Sequence, residues 1–167
     1  MDMEPTTIGQ CPVNGHKGRS VERQTLQSLL LIDLRLLTAE RYWFCADPSC
    51  PVVYFDEAGT LTFNTDQVRV PVWQKQPDDP ETPVCYCFKF TAAMIRDDAE
   101  HHHAGNRRTI VEQITLGTQQ GWCACPITNP QGSCCLGNVR HVARSAPTPV
   151  RREPVIGMED QDEFDAG

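Results

Sequence analysis

Nine cysteines in 167 residues constrain this chain more than any other feature. They fall in two groups: Cys11, Cys45 and Cys50 in the first half, then Cys85, Cys87, Cys123, Cys125, Cys134 and Cys135 in the second. Met1–Gln10 shows neither a basic segment nor an apolar stretch, so no secretory signal is read there and a reducing, cytoplasmic location is expected. In that setting grouped cysteines more often hold metal than form disulfides. Aromatic residues are 7% of the chain and 13 residues are proline, so two small lobes would each have a thin core and need a staple. Metal is the expected staple.

Charge narrows the partners. The net charge is −7, and residues 153–167 hold Glu153, Glu159, Asp160, Asp162, Glu163 and Asp165 with no base, which leaves the body near neutral. A nucleic-acid partner needs a basic stripe to meet phosphates, so none is expected. Nor is a membrane span: the most apolar run, Leu29–Leu37, contains Asp33 and Arg35 and falls far short of the roughly 20 residues required.

The pattern along the chain predicts an α+β fold. Residues 1–74 read as a β-rich, zinc-stabilised lobe, 75–83 (KQPDDPETP) as a linker, 84–146 as a helical lobe, and 147–167 as a disordered acidic tail. In the first lobe Arg41–Cys45 and Val52–Phe55 flank a proline-containing turn and suggest a hairpin, and Gln67–Trp73 alternates like an edge strand that tolerates Pro71. Thr25–Leu37 has leucines at roughly helical spacing. In the second lobe Thr91 can cap a helix running through Glu100, Arg108–Leu116 places Ile110 and Ile114 on one face, and Ser133–Ala143 reads as a third helix.

Two turns that each present sulfur are what tetrahedral zinc requires. Cys45-x4-Cys50 lies at the hairpin turn and Cys11 in an earlier Cys-Pro-Val-Asn-Gly turn. His16 is the nearest further donor with good zinc chemistry, giving a Cys3His set of Cys11, His16, Cys45 and Cys50; the position two residues short of it is Asn14. The competing reading is three buried, inert cysteines. In the second group, Cys85-x-Cys87 precedes a predicted helix, and Cys123, Cys125, Cys134 and Cys135 supply more sulfurs than one centre needs. Spacing alone leaves a [2Fe–2S] cluster and a second zinc site open, along with the choice among the later cysteines.

These motifs carry a resemblance. Val84-Cys85-Tyr86-Cys87-Phe88, then Met94-Ile95, a helical stretch and Gly121-Trp122-Cys123 resemble the [2Fe–2S] fold of bacterioferritin-associated ferredoxins. More broadly, residues 11–139 resemble the cysteine-rich domain fused to CopZ-type copper chaperones, through the Cys11-Pro12 turn, Cys45-x4-Cys50-x-Val52-Val53-Tyr54-Phe55, the Cys85-x-Cys87 pair and the block Thr128–Cys135 (TNPQGSCC). The resemblance implies zinc in the first half and a [2Fe–2S] cluster in the second. It implies Cys85, Cys87, Cys125 and Cys135 as the cluster ligands. Asn14 departs from the family's usual second cysteine of the first zinc turn, and the resemblance does not extend to the copper-chaperone domain with its CxxC loop.

The expected function is therefore that of a non-enzymatic zinc and [2Fe–2S] protein: a one-electron carrier linked to copper handling, partnered by a redox protein or a metal transporter. The alternative is a Cu(I)-binding, sensing or chaperone-accessory module without redox turnover, with Cys123 and Cys134 as spare thiols for the soft ion. His101–His103 is read as a favourable helix C-terminus, Asp97-Asp98 as a solvated helix face, and Trp43, Trp73 and Trp122 as packing anchors.

Overall fold

A computed structural model describes residues 8–101 and 107–145. The tail read at 147–167, and His102 and His103, lie outside the described residues. The chain forms a four-stranded antiparallel sheet followed by a helical lobe. The sheet runs in the order β1 (Arg19–Val21), β2 (Tyr42–Phe44), β3 (Val52–Asp56) and β4 (Thr62–Asn64), with α1 (Arg23–Leu29) between the first two strands. The expected hairpin is β2–β3, with Phe44 opposite Tyr54 and Trp43 opposite Phe55. Every residue of β3 is buried, which explains its unbroken apolar reading: neither face of this strand meets water. One cluster packs Tyr42, Phe44, Val53, Tyr54 and Phe63 with Leu26, Leu29 and Leu30 of the α1 region. A second, smaller one packs Val52 and Phe55 with Cys11, Cys45 and Cys50.

The leucine run departs from its expected helix. α1 stops at Leu29 because the next residues are captured by the 67–69 segment: Leu31 N–H donates to the Gln67 carbonyl (2.8 Å) and Arg69 N–H to the Leu29 carbonyl (2.7 Å). Beyond it the Asp33 side chain accepts from the Arg35 N–H and starts a short 3-10 turn, leaving Leu31, Leu34 and Leu36 exposed. Gln67–Trp73 is likewise no edge strand. Its only ladder contact is Val68 with Leu30, and 3-10 turns at Thr65–Gln67 and Trp73–Lys75 bracket it.

The second lobe opens with a short hairpin, β5 (Pro83–Cys85) and β6 (Phe90–Thr91). Four helices follow: α2 (Ala92–His101), α3 (Ile110–Gln119), α4 (Cys125–Thr128) and α5 (Leu136–Arg144). The Thr91 hydroxyl accepts from the Met94 N–H (3.3 Å), as its position predicts. α3 carries a capping box between Thr109 and Glu112. Asp98 is not simply a solvated face: its carboxylate accepts from the Ile110 N–H (2.9 Å), tying α2 to the start of α3. The core joins Val84, Ala92, Ile95, Ile110, Ile114, Val139 and Val142 with Cys85, Cys125 and Cys135. Trp43 stacks on Phe55 and Trp73 packs into this second core, whereas Trp122 is 64% exposed.

The two lobes are joined through α4 and the loop that follows it to Ser133. Thr25 donates its hydroxyl to the Pro126 carbonyl (2.6 Å), Tyr54 to the Pro130 carbonyl (2.5 Å) and Arg19 its guanidinium to the Ser133 hydroxyl (3.1 Å). The 75–83 segment is a series of tight turns in which Lys75 Nζ reaches back to the Asp47 carbonyl (2.6 Å) and Thr82 is buried. Gly132 has φ +69° and a Cβ there would stand 3.1 Å from Thr25 Oγ1 and 3.2 Å from Val21 Cγ1. Gly132→Ala is therefore expected to destabilise the chain by about 1–3 kcal/mol, the usual range for a side chain forced into the left-handed region. Urea unfolding with an unchanged midpoint would show that the junction gives way without strain.

Candidate metal centres

The first centre is built by two loops. Cys11 sits in a tight hairpin held by Cys11 N–H to the His16 carbonyl and Gly15 N–H to the Cys11 carbonyl, both 2.8 Å, with Gly15 supplying φ +72°. Cys45 and Cys50 flank the β2–β3 turn, where the Asp47 carboxylate accepts from the Ser49 N–H (2.9 Å) and hydroxyl (2.7 Å) and so folds the chain back. The Sγ atoms of Cys11, Cys45 and Cys50 lie within 4.8 Å of one another, all buried. Cys11 Sγ and Cys50 Sγ are 3.9 Å apart. Tetrahedral Zn–S bonds of about 2.3 Å place sulfurs about 3.8 Å apart, so the thiols fit zinc. Burial pushes the Cys50 thiol up to about 11, as expected for sulfurs crowded together without a cation.

His16 does not join the three thiols. Its side chain is 67% exposed and its Nδ1 pairs with Asp47 Oδ2 at 3.1 Å. Asn14 stands nearer: its Nδ2 donates to Asp47 Oδ2 (2.8 Å) and lies 3.6 Å from Cys45 Sγ. The hydrogen bonds from Ser49, with smaller contributions from Asn14 and His16, hold the Asp47 carboxyl below its ordinary range. Sequence reasoning passed over Asp47; the Asp-Pro-Ser run between the two cysteines is the signal that marks it as a turn former.

The second centre lies where the β5–β6 hairpin meets α4 and the start of α5. Cys85 ends β5, Cys87 sits in the hairpin turn, Cys125 opens α4 and Cys135 directly precedes α5. These four thiols come together. Cys87 Sγ is 3.7 Å from Cys125 Sγ, and Cys85, Cys125 and Cys135 are buried in one core cluster with Cys87 packed against it, although among the described residues only Cys11, Cys45 and Cys50 have all their sulfurs within 4.8 Å of one another. The role of shared donor pushes the Cys135 thiol up. Its partners go the other way: donation from Cys135, helped by the backbone N–H groups of Phe88 and Cys87, brings Cys85 down to about 7. The same thiol and the Cys135 N–H bring Cys125 down to about 6. Burial raises Cys87 to about 11, against the Thr128 hydroxyl (3.2 Å) and the Ala124 N–H (3.1 Å), which both face its sulfur. Backbone N–H groups and the Thr128 hydroxyl thus face these sulfurs, the kind of donors that stabilise thiolate.

Cys123 and Cys134 stand apart from this set. Cys123 Sγ is 3.3 Å from the Thr118 hydroxyl, and Cys134 is exposed. The Thr128–Cys135 block explains the separation. Asn129 and Gln131 are buried, the Asn129 amide donates to the Ser133 carbonyl (3.0 Å), and the Gln131 amide donates to the Cys134 carbonyl (2.9 Å). This knot leaves the Cys134 side chain outside and the Cys135 side chain inside. His101 pairs with Asp97 at 2.9 Å on the surface of α2.

Comparison with known proteins bears on the first lobe and on the fold. Residues 8–69 match a family described as a zinc binding domain. The copper chaperone CopZ of Archaeoglobus fulgidus is 35% identical over 94 residues, which are 56% of this chain and 42% of that protein, so the match spans less than half of the relative. The crystal structure of the Archaeoglobus fulgidus CopZ N-terminal domain superposes with a TM-score of 0.63 at 26% identity, covering 84% of this chain and 99% of that one. Residues 8–69 are therefore similar to a zinc binding domain, within a chain whose fold is similar to that of the Archaeoglobus fulgidus CopZ N-terminal domain.

Proposed function

We propose that this chain is a metal-binding and metal-handling module that works with copper, with zinc holding the first lobe and a four-thiol centre in the second. The observation that carries the reading is the gathering of seven of the nine cysteines into two thiol clusters, one in each lobe. Cys11, Cys45 and Cys50 are the zinc ligands, with the fourth position to be filled near Asn14 and His16. Cys85, Cys87, Cys125 and Cys135 form the second ligand set, and thiolates of this kind select Cu(I), zinc or iron–sulfur clusters. The relative named as a copper chaperone favours Cu(I) handling, with a metal-transport protein as the partner. Among the described residues no helix is long and apolar enough to cross a membrane.

A second reading, a resident [2Fe–2S] cluster and one-electron transfer, is favoured by one specific feature. N–H groups are aimed at three of the four sulfurs: Ala124 at Cys87, Phe88 and Cys87 at Cys85, and Cys135 at Cys125. Such bonds tune cluster potentials. Metal analysis of anaerobically isolated protein decides between the readings. Cu(I) handling without a resident cluster predicts zinc, no iron, and tight Cu(I) binding that depends on the second-lobe cysteines. The electron-carrier reading predicts about two irons and one zinc per chain, visible absorbance, and an EPR signal after dithionite reduction. A preparation that binds neither zinc, iron nor Cu(I) overturns both.

A further inference from the structure

We infer that the three-thiol centre of the first lobe is an exchangeable site at which Cu(I) displaces zinc. This deepens the zinc reading above and rests on it. The observation is a mismatch between the donor set and the ion. Cys11, Cys45 and Cys50 converge, and among the described residues no fourth histidine, cysteine or carboxylate completes the group. Structural zinc sites are almost always closed by four protein ligands.

The residues beside the gap are turned to other work. The Asn14 side chain reaches the thiols, but it presents Nδ2, 3.6 Å from Cys45 Sγ, and an amide N–H donates to sulfur without ligating metal. The Asn14 Oδ1 atom, which could ligate, accepts the His16 N–H at 3.0 Å. The His16 ring is drawn outward to Asp47, and Asp47 itself accepts from Ser49 and Asn14. Zinc bound to the three sulfurs therefore keeps one position for solvent, and a position held by solvent is the one through which a metal exchanges.

Cu(I) has no such need. It is soft, prefers sulfur, and is satisfied by three thiolates. The pocket suits it: the three cysteines are buried against Val52 and Phe55, with no hard oxygen donor in the group. In the exchange three zinc–sulfur bonds break and three copper–sulfur bonds form. Zinc leaves with its solvent ligand, and no electron moves. The centre becomes one charge more negative, and the Asn14 amide and Val52 N–H, which face Cys45 and Cys50, offset that charge.

The test is an anaerobic titration of the zinc-loaded full chain with Cu(I) supplied as its bicinchoninate complex, with released zinc read by a chromogenic chelator. Wild type and Asn14→Ser, which keeps the gap, are expected to release the first-lobe zinc. Asn14→Cys supplies a fourth thiol and is expected to need about ten to a hundred times more free Cu(I) for the same release. The second lobe is the same in every variant, so the difference between variants is the readout. Equal release from wild type and Asn14→Cys, or retention by both, overturns the exchange and leaves the zinc reading standing. Absence of zinc from wild type and Asn14→Cys as isolated overturns the zinc reading, and the exchange with it.

Discussion

Serine at Cys125 is expected to strip the second lobe of its metal centre, and serine at Cys85, Cys87 or Cys135 to do the same. The four cysteines share one core cluster, and Cys87 Sγ lies 3.7 Å from Cys125 Sγ. Removing one thiolate from a four-thiolate centre leaves an ion or cluster without a closed shell, and bound metal should fall roughly tenfold or more. Cys85 and Cys135 are 0% exposed within the lobe's apolar core, so a serine hydroxyl there also buries an unpaired polar group and lowers the melting temperature. Serine at Cys134 should leave metal content and melting temperature unchanged, because that side chain faces solvent. Serine at Cys123 should leave metal content unchanged and cost a little stability, because that half-buried side chain packs against the core beside the Thr118 hydroxyl. Metal analysis and thermal melts on the six variants check this. A requirement for Cys123 with Cys125 dispensable would reassign the ligands while leaving a centre in place.

Much of this architecture is legible in the sequence, and the exceptions share a cause. The β2–β3 hairpin is readable because aromatic and β-branched residues border a proline turn, and α3 because Ile110 and Ile114 fall on one helical face; its capping box, Thr109 with Glu112, goes unread. The leucine run misled because its backbone partners lie at residues 67–69, far along the chain, and no local pattern announces them. Helix α4 escaped because a single turn of four residues has no period to detect. Residues 88–91 were expected to enter the helix directly; instead Phe90–Thr91 pairs back on Pro83–Cys85, and Lys89, at φ 60°, makes the turn that allows it. For the first centre, spacing singled out the cysteines but not the posture of His16 and Asn14. Asp47 decides that posture, and its identity as a turn former becomes apparent only once the two loops are seen together.

Removing the metal from the first lobe is expected to open one corner of it and leave the sheet intact. The lobe has two separate apolar clusters. The larger packs Leu26, Tyr42, Phe44, Val53, Tyr54 and Phe63 and includes no cysteine. The smaller consists of Cys11, Cys45, Cys50, Val52 and Phe55, with Trp43 beside it, so most of its members are the thiols themselves. Apart from the thiols, the hairpin that carries Cys11 is held by the bonds within its own turn, one bridge between Gln10 and Lys17, the Gly18 N–H to the Gly9 carbonyl at 2.7 Å, and the Asn14 amide to Asp47 at 2.8 Å. Without metal these sulfurs are either thiols with few partners or thiolates repelling one another, and neither offsets the ordering of the loop. Amide hydrogen exchange at Cys11, Gly15 and Gly18 should then quicken by about a hundredfold or more, while the amides of Val53 and Tyr54 keep their protection. Trp43, stacked on Phe55 with ring centroids 6.2 Å apart, reports the same opening through its fluorescence. Exchange that quickens across the whole sheet would mean that the metal supports the larger cluster as well. Exchange that stays slow around Cys11 would mean that Val52, Phe55 and Trp43 hold the corner closed by packing alone, and the staple that the cysteines imply would be dispensable.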